Sequence, residues 1–267
     1  MSTQPYATGC PVLHHTTASE PTGSTTARVA GLAYGAFCYA IFLATFLYAM
    51  GFVTGVAVPR TIDRAIDAPL AQAVVVDVAL LTVFALQHSV MARPGFRRWW
   101  TRYVPTSIER STYVLLASAA LALLFWQWRS IDIPVWHVDP SPARIALTAL
   151  GWAGWGIVLA STFMIDHFEL FGLKQVVTQW RSKPHAEAGF RTVLLYRLVR
   201  HPLMLGFLIA FWATPTMTAG HLLVAAATTG YILIALQLEE RDLVNALGDT
   251  YRGYRQRVPM LLPRPWR

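Results

Sequence analysis

The feature that most constrains the fold of this chain is a run of thirty residues, 29–58, without a single charged side chain. In a helix, about 20 apolar residues cross the hydrocarbon layer of a membrane. We therefore expect this run to form a long first span that is tilted or kinked near Gly51 or Gly55. Only 13% of the 267 residues are charged, whereas soluble domains have about 25%, so the composition predicts an integral membrane protein.

Three further apolar segments and a final hairpin complete the predicted fold. The second, third and fourth spans are expected at residues 70–90, 112–128 and 145–165. The hairpin has two arms, residues 203–214 and 221–238, of which the first is short for a full crossing. The prediction is an all-α, polytopic membrane helix bundle of five to six spans, formed by residues 28–267 as one domain. Residues 1–27 are rich in Ser, Thr and Pro, which predicts a disordered tail.

The distribution of basic residues predicts the orientation of the bundle. Eighteen Lys and Arg residues fall on one side of the predicted spans and four on the other. Because basic loops stay on the cytoplasmic side of a membrane, both termini are expected in the cytoplasm. The formal net charge of +8 is then explained by these loops, and we expect no nucleic-acid partner.

Ionisable and aromatic residues bracket the C-terminal hairpin. Such groups at the edge of a membrane-buried segment are costly and mark a functional site by default. Because a hairpin returns its two ends to one membrane face, we expect them to meet around one polar pocket on the cytoplasmic side. The residues before and after the hairpin are Arg200, His201, Pro202, Glu239, Glu240, Tyr251 and Tyr254.

This ordered set resembles the C-terminal signature of the isoprenylcysteine carboxyl methyltransferase-like membrane enzymes. Gly206, Gly248 and Pro259 also match that signature, whereas Met204 stands where the family usually has Tyr. The resemblance implies a site for S-adenosylmethionine, whose carboxylate, ammonium and sulfonium suit an Arg, a Glu and aromatic faces. The candidate cofactor-binding residues are Gln175, Tyr196, Arg200, His201, Pro202, Gly206, Glu239, Glu240, Tyr251 and Tyr254.

The N-terminal half resembles the NnrU-like group of membrane proteins. The residues that carry this resemblance are 87–94 (QHSVMARP), 109–111 (ERS) and 123–128 (LLFWQW). Together with the C-terminal signature, the resemblance covers nearly all of residues 30–260. It implies a bacterial cell-membrane enzyme that methylates a small thiol, forming dimethyl sulfide from methanethiol and methanethiol from hydrogen sulfide.

Thiol methylation needs a way to remove the thiol proton, because a thiol with a pKa near 8.5 is mostly protonated at neutral pH. His88 is the best candidate base in the N-terminal half, and Gln87 and Arg93 are candidate catalytic residues beside it. The alternative is that His88 only forms a hydrogen bond at a helix end. We predict no metal site, because the groups Cys10-His14-His15 and Asp166-His167-Glu169 have weak ligand spacing.

Two other functions stay open at this point. The acceptor could be a lipid-soluble or prenyl thiol or carboxylate, because access between helices leaves no sequence motif. The chain could also be a non-enzymatic NnrU-type protein that binds a metal or haem in nitrogen-oxide metabolism. One intramembrane acid, Asp77, is expected to be neutral, paired with an Arg, or facing a polar cavity.

Overall fold

The structure is a computed structural model that describes residues 24–183 and 192–263. Within these ranges five helices are long and apolar enough to cross a membrane, which confirms the predicted polytopic helix bundle. They are α1 (Thr25–Thr54), α2 (Leu70–Ala92), α4 (Thr106–Gln127), α5 (Pro142–Ile165) and α9 (Ala219–Leu247). The shorter elements are α3 (Pro94–Trp100), α6 (His167–Leu170), α7 (Leu173–Trp180), a 3-10 helix (Leu194–Arg197), α8 (Pro202–Trp212), α10 (Asp249–Arg257) and the strands β1 (Pro134–His137) and β2 (Thr216–Thr218).

Capping residues set the ends of α1, four residues earlier than the sequence predicted. The side-chain oxygen of Ser24 accepts a hydrogen bond from the backbone N–H of Ala27, and the helix begins at Thr25. It ends where Gly55 adopts a left-handed conformation with φ of +75°, which glycine tolerates best. Residues 1–23 of the predicted tail lie outside the described residues.

Helix α8 is short and packs closely against α5. Its eleven residues extend about 16 Å, roughly half of the hydrocarbon thickness, so α8 cannot cross a membrane alone. The two helices approach at Gly154 and Gly206: a Cβ atom on Gly154 would lie 2.6 Å from the backbone nitrogen of Ala210 and 2.8 Å from the carbonyl oxygen of Gly206. The close helix contact expected from the Gly-Trp repeat of α5 is therefore present.

Loops close the end of the bundle at which α9 begins. Strand β1 pairs with β2 in an antiparallel ladder, and the fully buried Trp128 donates its indole N–H to the carbonyl oxygen of Ile62 at 3.1 Å. Asp77, also fully buried, accepts the backbone N–H of Arg129 at 2.9 Å. The intramembrane acid thus anchors a loop, and its partner is the backbone of an arginine instead of the guanidinium.

At the other end of α9, the chain folds back over the start of α8. The backbone N–H groups of Arg200 and His201 donate to the carbonyl oxygens of Pro259 and Met260 at 2.9 and 3.2 Å. Helix α10 packs on the end of α9 through a small core of Leu243, Tyr251 and Tyr254. These contacts bring the two ends of the C-terminal hairpin together.

Candidate active site

The carboxylate of Glu240, near the end of α9, is the centre of a buried ionic cluster. Its Oε1 atom lies 2.6 Å from both Nε and Nη2 of Arg200 and 3.2 Å from Nε2 of His201. Its Oε2 atom lies 3.3 Å from Nε of Arg255, and the Tyr251 hydroxyl donates to Oε1 at 3.5 Å. A carboxylate that is only 4% exposed needs such donors, so Glu240 joins the start of α8 to α9 and α10.

The guanidinium of Arg200 is fully engaged in internal contacts. Its Nη1 atom donates to the carbonyl oxygen of Val258 at 2.5 Å and to that of Arg255 at 3.2 Å. The side chain is 8% exposed. In the structure its guanidinium joins the C-terminal segment to Glu240, and the contact with a ligand carboxylate that the sequence suggested stays a prediction.

His201 connects the two acidic residues at the end of α9. It stands at the N-cap position of α8, where its side chain bonds to none of the helix N–H groups. Its Nδ1 atom lies 3.4 Å from Oε1 of Glu239, and its Nε2 atom faces Glu240. Burial favours the neutral ring, but the hydrogen bonds and negative charges of both carboxylates outweigh burial and raise the pKa of His201 above its usual value. The charged imidazolium form therefore fits this position.

Glu239 is the more accessible of the two acids. Its side chain is 16% exposed, whereas that of Glu240 is 6% exposed. Successive residues of a helix point about 100° apart, which explains why neighbouring acids can have different surroundings. Of the two, Glu239 is the better placed to meet a ligand.

Tyrosines form the aromatic side of the cluster. The Tyr254 hydroxyl donates to the carbonyl oxygen of Tyr196 at 2.6 Å. Tyr251 is 1% exposed, and its pKa is raised by burial and by the negative charge of Glu240. The buried Pro202 begins α8 at its first helical position, whereas Gly206 faces α5. The structure thus brings Arg200, His201 and Tyr251 to Glu240. Glu239 lies against His201, and the ring of Tyr254 lies beside that of Tyr251.

A second polar group lies where α2, α4 and α9 meet. The Tyr113 hydroxyl is 3.0 Å from Nδ1 of His88 and 3.1 Å from Nε2. Beside it, the Ser89 hydroxyl donates to that of Tyr231 at 3.1 Å. Sequence reasoning identified His88 but missed both tyrosines, because a lone Tyr inside an apolar span gives no sign of what it faces. On α9, Tyr231 precedes Glu239 by eight residues, about 12 Å along the helix.

The other two candidate catalytic residues adjoin His88 in sequence. Gln87 donates its amide to the sulfur of Met91 at 3.2 Å, and its buried Oε1 atom meets no hydrogen-bond donor among the described residues. Arg93 lies 3.3 Å from Asp242 of α9 in a pair with side chains 40% and 51% exposed. Such an exposed pair contributes little stability, but it shows that the ends of α2 and α9 adjoin.

The acidic residues that follow α5 bind a lysine. Nζ of Lys174 lies 2.5 Å from Asp166 and 2.8 Å from Glu169. Burial lowers the pKa of Lys174, but both carboxylates raise it further, so the net shift is upward. His167 points elsewhere, to the hydroxyls of Tyr39 and Thr162 at 2.9 and 2.8 Å. Residues 24–183 and 192–263 contain no group of His, Cys, Asp and Glu that could hold a metal ion.

Two further predictions concern Gln175 and the group Cys10, His14 and His15. Gln175 donates to the carbonyl oxygen of Glu169 at 3.2 Å, and its helix α7 packs mainly against α1 and α4. Its Oε1 atom is buried and finds no donor in the part of the chain that the structure describes. The weak group Cys10, His14 and His15 lies outside the described residues.

Fold and site together define a polytopic helical membrane protein with an ionic cluster at the closed ends of its last hydrophobic hairpin. The family described as NnrU protein matches residues 77–238, and the chain belongs to this family.

Named relatives extend the similarity over most of the chain. A Mycobacterium tuberculosis protein named methanethiol S-methyltransferase is 65% identical over 90% of this chain and 98% of its own length. Methanethiol S-methyltransferase 2 of Bradyrhizobium diazoefficiens is 56% identical over 89% of this chain and 92% of its own length. Human nurim is 33% identical over 76% of this chain and 77% of its own length. No solved structure matches the chain.

Proposed function

We propose that this protein is a membrane enzyme that methylates small thiols, converting methanethiol to dimethyl sulfide and hydrogen sulfide to methanethiol, with S-adenosylmethionine as the methyl donor. The observation that carries the proposal is the similarity, over about nine-tenths of the chain, to proteins named methanethiol S-methyltransferase.

The ionic cluster offers groups that suit the amino-acid end of the donor. The partly accessible carboxylate of Glu239 would bind its ammonium group. The donor carboxylate would meet the N–H groups at the start of α8, which no described side chain caps, or Arg255, whose side chain is 45% exposed. Arg200 and Glu240 would hold these groups in place through their buried contacts, and their direct contact with the donor stays a prediction.

When bound, the donor supplies a methyl group on a positively charged sulfur. Aromatic faces near this end of the bundle would stabilise that charge. The cluster contains two such rings, those of Tyr251 and Tyr254. Transfer of the methyl group to a thiolate neutralises both charges. Apolar surroundings therefore favour the reaction, because they solvate the separate charges poorly.

His88 is the residue that we propose as the base for the acceptor thiol. Its ring lies at the junction of α2, α4 and α9, with the Phe84 ring stacked on it at a centroid distance of 5.4 Å. Gln87 would help to bind the thiol, and the positive charge of Arg93 would favour its anionic thiolate form. Because α9 carries both Tyr231 and Glu239, one helix connects the acceptor side of the site to the donor side.

We place the protein in the bacterial cell membrane with its site at the cytoplasmic face. The basic loops after the second and fourth spans and the basic C-terminal segment favour this orientation. It gives the donor access from the cytoplasm, while an apolar volatile thiol can also arrive through the lipid.

The test is an assay with purified protein, S-adenosylmethionine and methanethiol in a sealed vial. Dimethyl sulfide in the headspace is the expected result, and its absence would reject the proposal. A long-chain thiol that far outcompetes methanethiol would identify a lipid-soluble acceptor instead. Metal or haem in the purified protein, together with no calorimetric binding of S-adenosylmethionine, would favour the non-enzymatic alternative.

A further inference from the structure

We propose that Tyr113 is a positioning residue that fixes the ring of His88 with its open nitrogen ready to accept the proton of the acceptor thiol. The inference rests on the proposed function and names a residue that the sequence did not reveal.

The first support is the difference in burial between the two residues. Tyr113 is 8% exposed, whereas His88 keeps part of its surface accessible. The hydroxyl lies close to both ring nitrogens, at 3.0 and 3.1 Å, and it can share a hydrogen bond with only one at a time. The ring is thus held by a buried partner, and in the proposed arrangement the hydroxyl bonds to one nitrogen while the thiol approaches the other.

The second support is a third contact of the same hydroxyl, which gives its proton an acceptor outside the imidazole ring. The Tyr113 oxygen lies 3.5 Å from the carbonyl oxygen of His88, to which its O–H can donate. The phenol oxygen is then an acceptor for the ring N–H of His88. In that tautomer the other ring nitrogen has no proton and can act as a base.

The third support is the set of groups that hold the tyrosine ring. The guanidinium carbon of Arg110 lies 5.5 Å from the Tyr113 ring centroid, within the range of a cation–π contact. Arg110 is itself fixed, because its Nε atom donates to the carbonyl oxygen of Leu170 at 3.0 Å. From α9, the Tyr231 ring meets His88 edge-on at 6.4 Å. Tyr113 therefore connects His88 to side chains that are themselves fixed by contacts.

In the proposed reaction, His88 accepts the thiol proton and the donor supplies the methyl group. The open nitrogen of His88 takes the proton from the acceptor S–H group. The resulting thiolate sulfur bonds to the methyl carbon as the bond from that carbon to the donor sulfur breaks, which leaves a thioether and S-adenosylhomocysteine. His88 later releases the proton to water, and while it is charged it donates to the oxygen of Tyr113.

The test is Tyr113→Phe, which removes only the hydroxyl. We expect kcat with methanethiol to fall roughly tenfold or more, part of the usual contribution of general-base catalysis, with an unchanged KM for S-adenosylmethionine. The loss should be smaller with hydrogen sulfide, a stronger acid that needs less help to ionise. Rates are normalised to sites titrated with S-adenosylhomocysteine, so unfolded protein does not enter the result.

The matched control is Tyr34→Phe. The Tyr34 hydroxyl of α1 forms a hydrogen bond with Thr112 at 3.1 Å. Thr112 is next to Tyr113 on α4, but this hydrogen bond does not include His88. This variant should keep the wild-type kcat.

A double-mutant cycle gives the decisive comparison. If Tyr113 acts through His88, Tyr113→Phe should cost little once His88→Ala is present, because residues that act as a unit are not additive. Losses that multiply in the double variant, or a Tyr113→Phe enzyme within about twofold of wild type, would overturn this inference alone. A wild-type protein without activity would overturn the proposed function as well.

Discussion

Glu239 and Glu240 are adjacent residues of one helix with different surroundings. Glu240 accepts contacts from Arg200, His201 and Arg255 and is almost completely buried. Glu239 lies 3.4 Å from the other ring nitrogen of His201 and remains more accessible. The sequence motif predicted both as cofactor ligands. The sequence does not tell which of the two side chains is buried among basic partners and which is more accessible, because that depends on the direction in which each one points.

The bracing role of Glu240 predicts a large loss of stability on truncation. Glu240→Ala leaves the buried guanidinium of Arg200 without its carboxylate, and breaking such a pair costs about 3–5 kcal/mol. Thermal unfolding in detergent should show a much lower midpoint. The control is Asp249→Asn, since the Asp249 side chain is 95% exposed. A Glu240 variant as stable as this control would contradict the bracing role.

The surroundings of His201 predict a pH-dependent contribution to stability. Because the folded state raises its pKa, the stabilisation is fully present below its unfolded pKa of about 6.5 and is lost as pH rises through the folded pKa. The difference in thermal midpoint between wild type and His201→Gln should therefore be largest in acid and shrink in alkaline buffer. A difference that grows with pH would show that Glu239 and Glu240 do not stabilise the imidazolium.

At the scale of elements, hydropathy predicted where the spans lie better than where they end. The observed α2 and α5 come within three residues of the predicted bounds. Helix α4 begins at Thr106, six residues early, because Glu109 in its first turn pairs with Arg97 at 3.0 Å instead of lying in a loop. Helix α9 continues to Leu247 because the charges at 239 and 240 are neutralised by partners from other segments. Neither the pairing of Glu109 nor the partners of the charges at 239 and 240 can be read from the local sequence.

The contact between α5 and α8 predicts different effects for two glycines of one helix. Gly154→Ala places a Cβ atom 2.6 Å from the backbone of α8, and such overpacking costs about 1–3 kcal/mol. Because α8 begins at His201 and Pro202, the shift should also weaken donor binding. Gly156→Ala is the control, since nothing lies within 4 Å of that position. Equal stability of the two variants, measured by thermal unfolding, would contradict the close contact.

At the scale of the whole molecule, the two ends of the bundle differ. One end is closed by paired strands and the loop that Asp77 anchors, and the other holds the ionic cluster around Glu240. The sequence predicted that the hairpin ends would meet, because topology alone requires it. The proposed acceptor side could be predicted only in part. His88 stood out as a histidine at a helix end, whereas the positions of Tyr113 and Tyr231 beside it depend on helix rotation, which hydropathy does not determine.

In the proposed site, the ends of the last hairpin bind the methyl donor through Glu239. The most direct test is a calorimetric titration of S-adenosylhomocysteine into wild type, Glu239→Gln and the control Asp249→Asn. We predict one site in wild type and in the control, and in Glu239→Gln a dissociation constant at least about tenfold higher, or 1.4 kcal/mol, in a protein that still unfolds cooperatively and loses only the stability of its contact with His201. A Glu239→Gln protein that binds S-adenosylhomocysteine as tightly as wild type would show that Glu239 does not bind the donor.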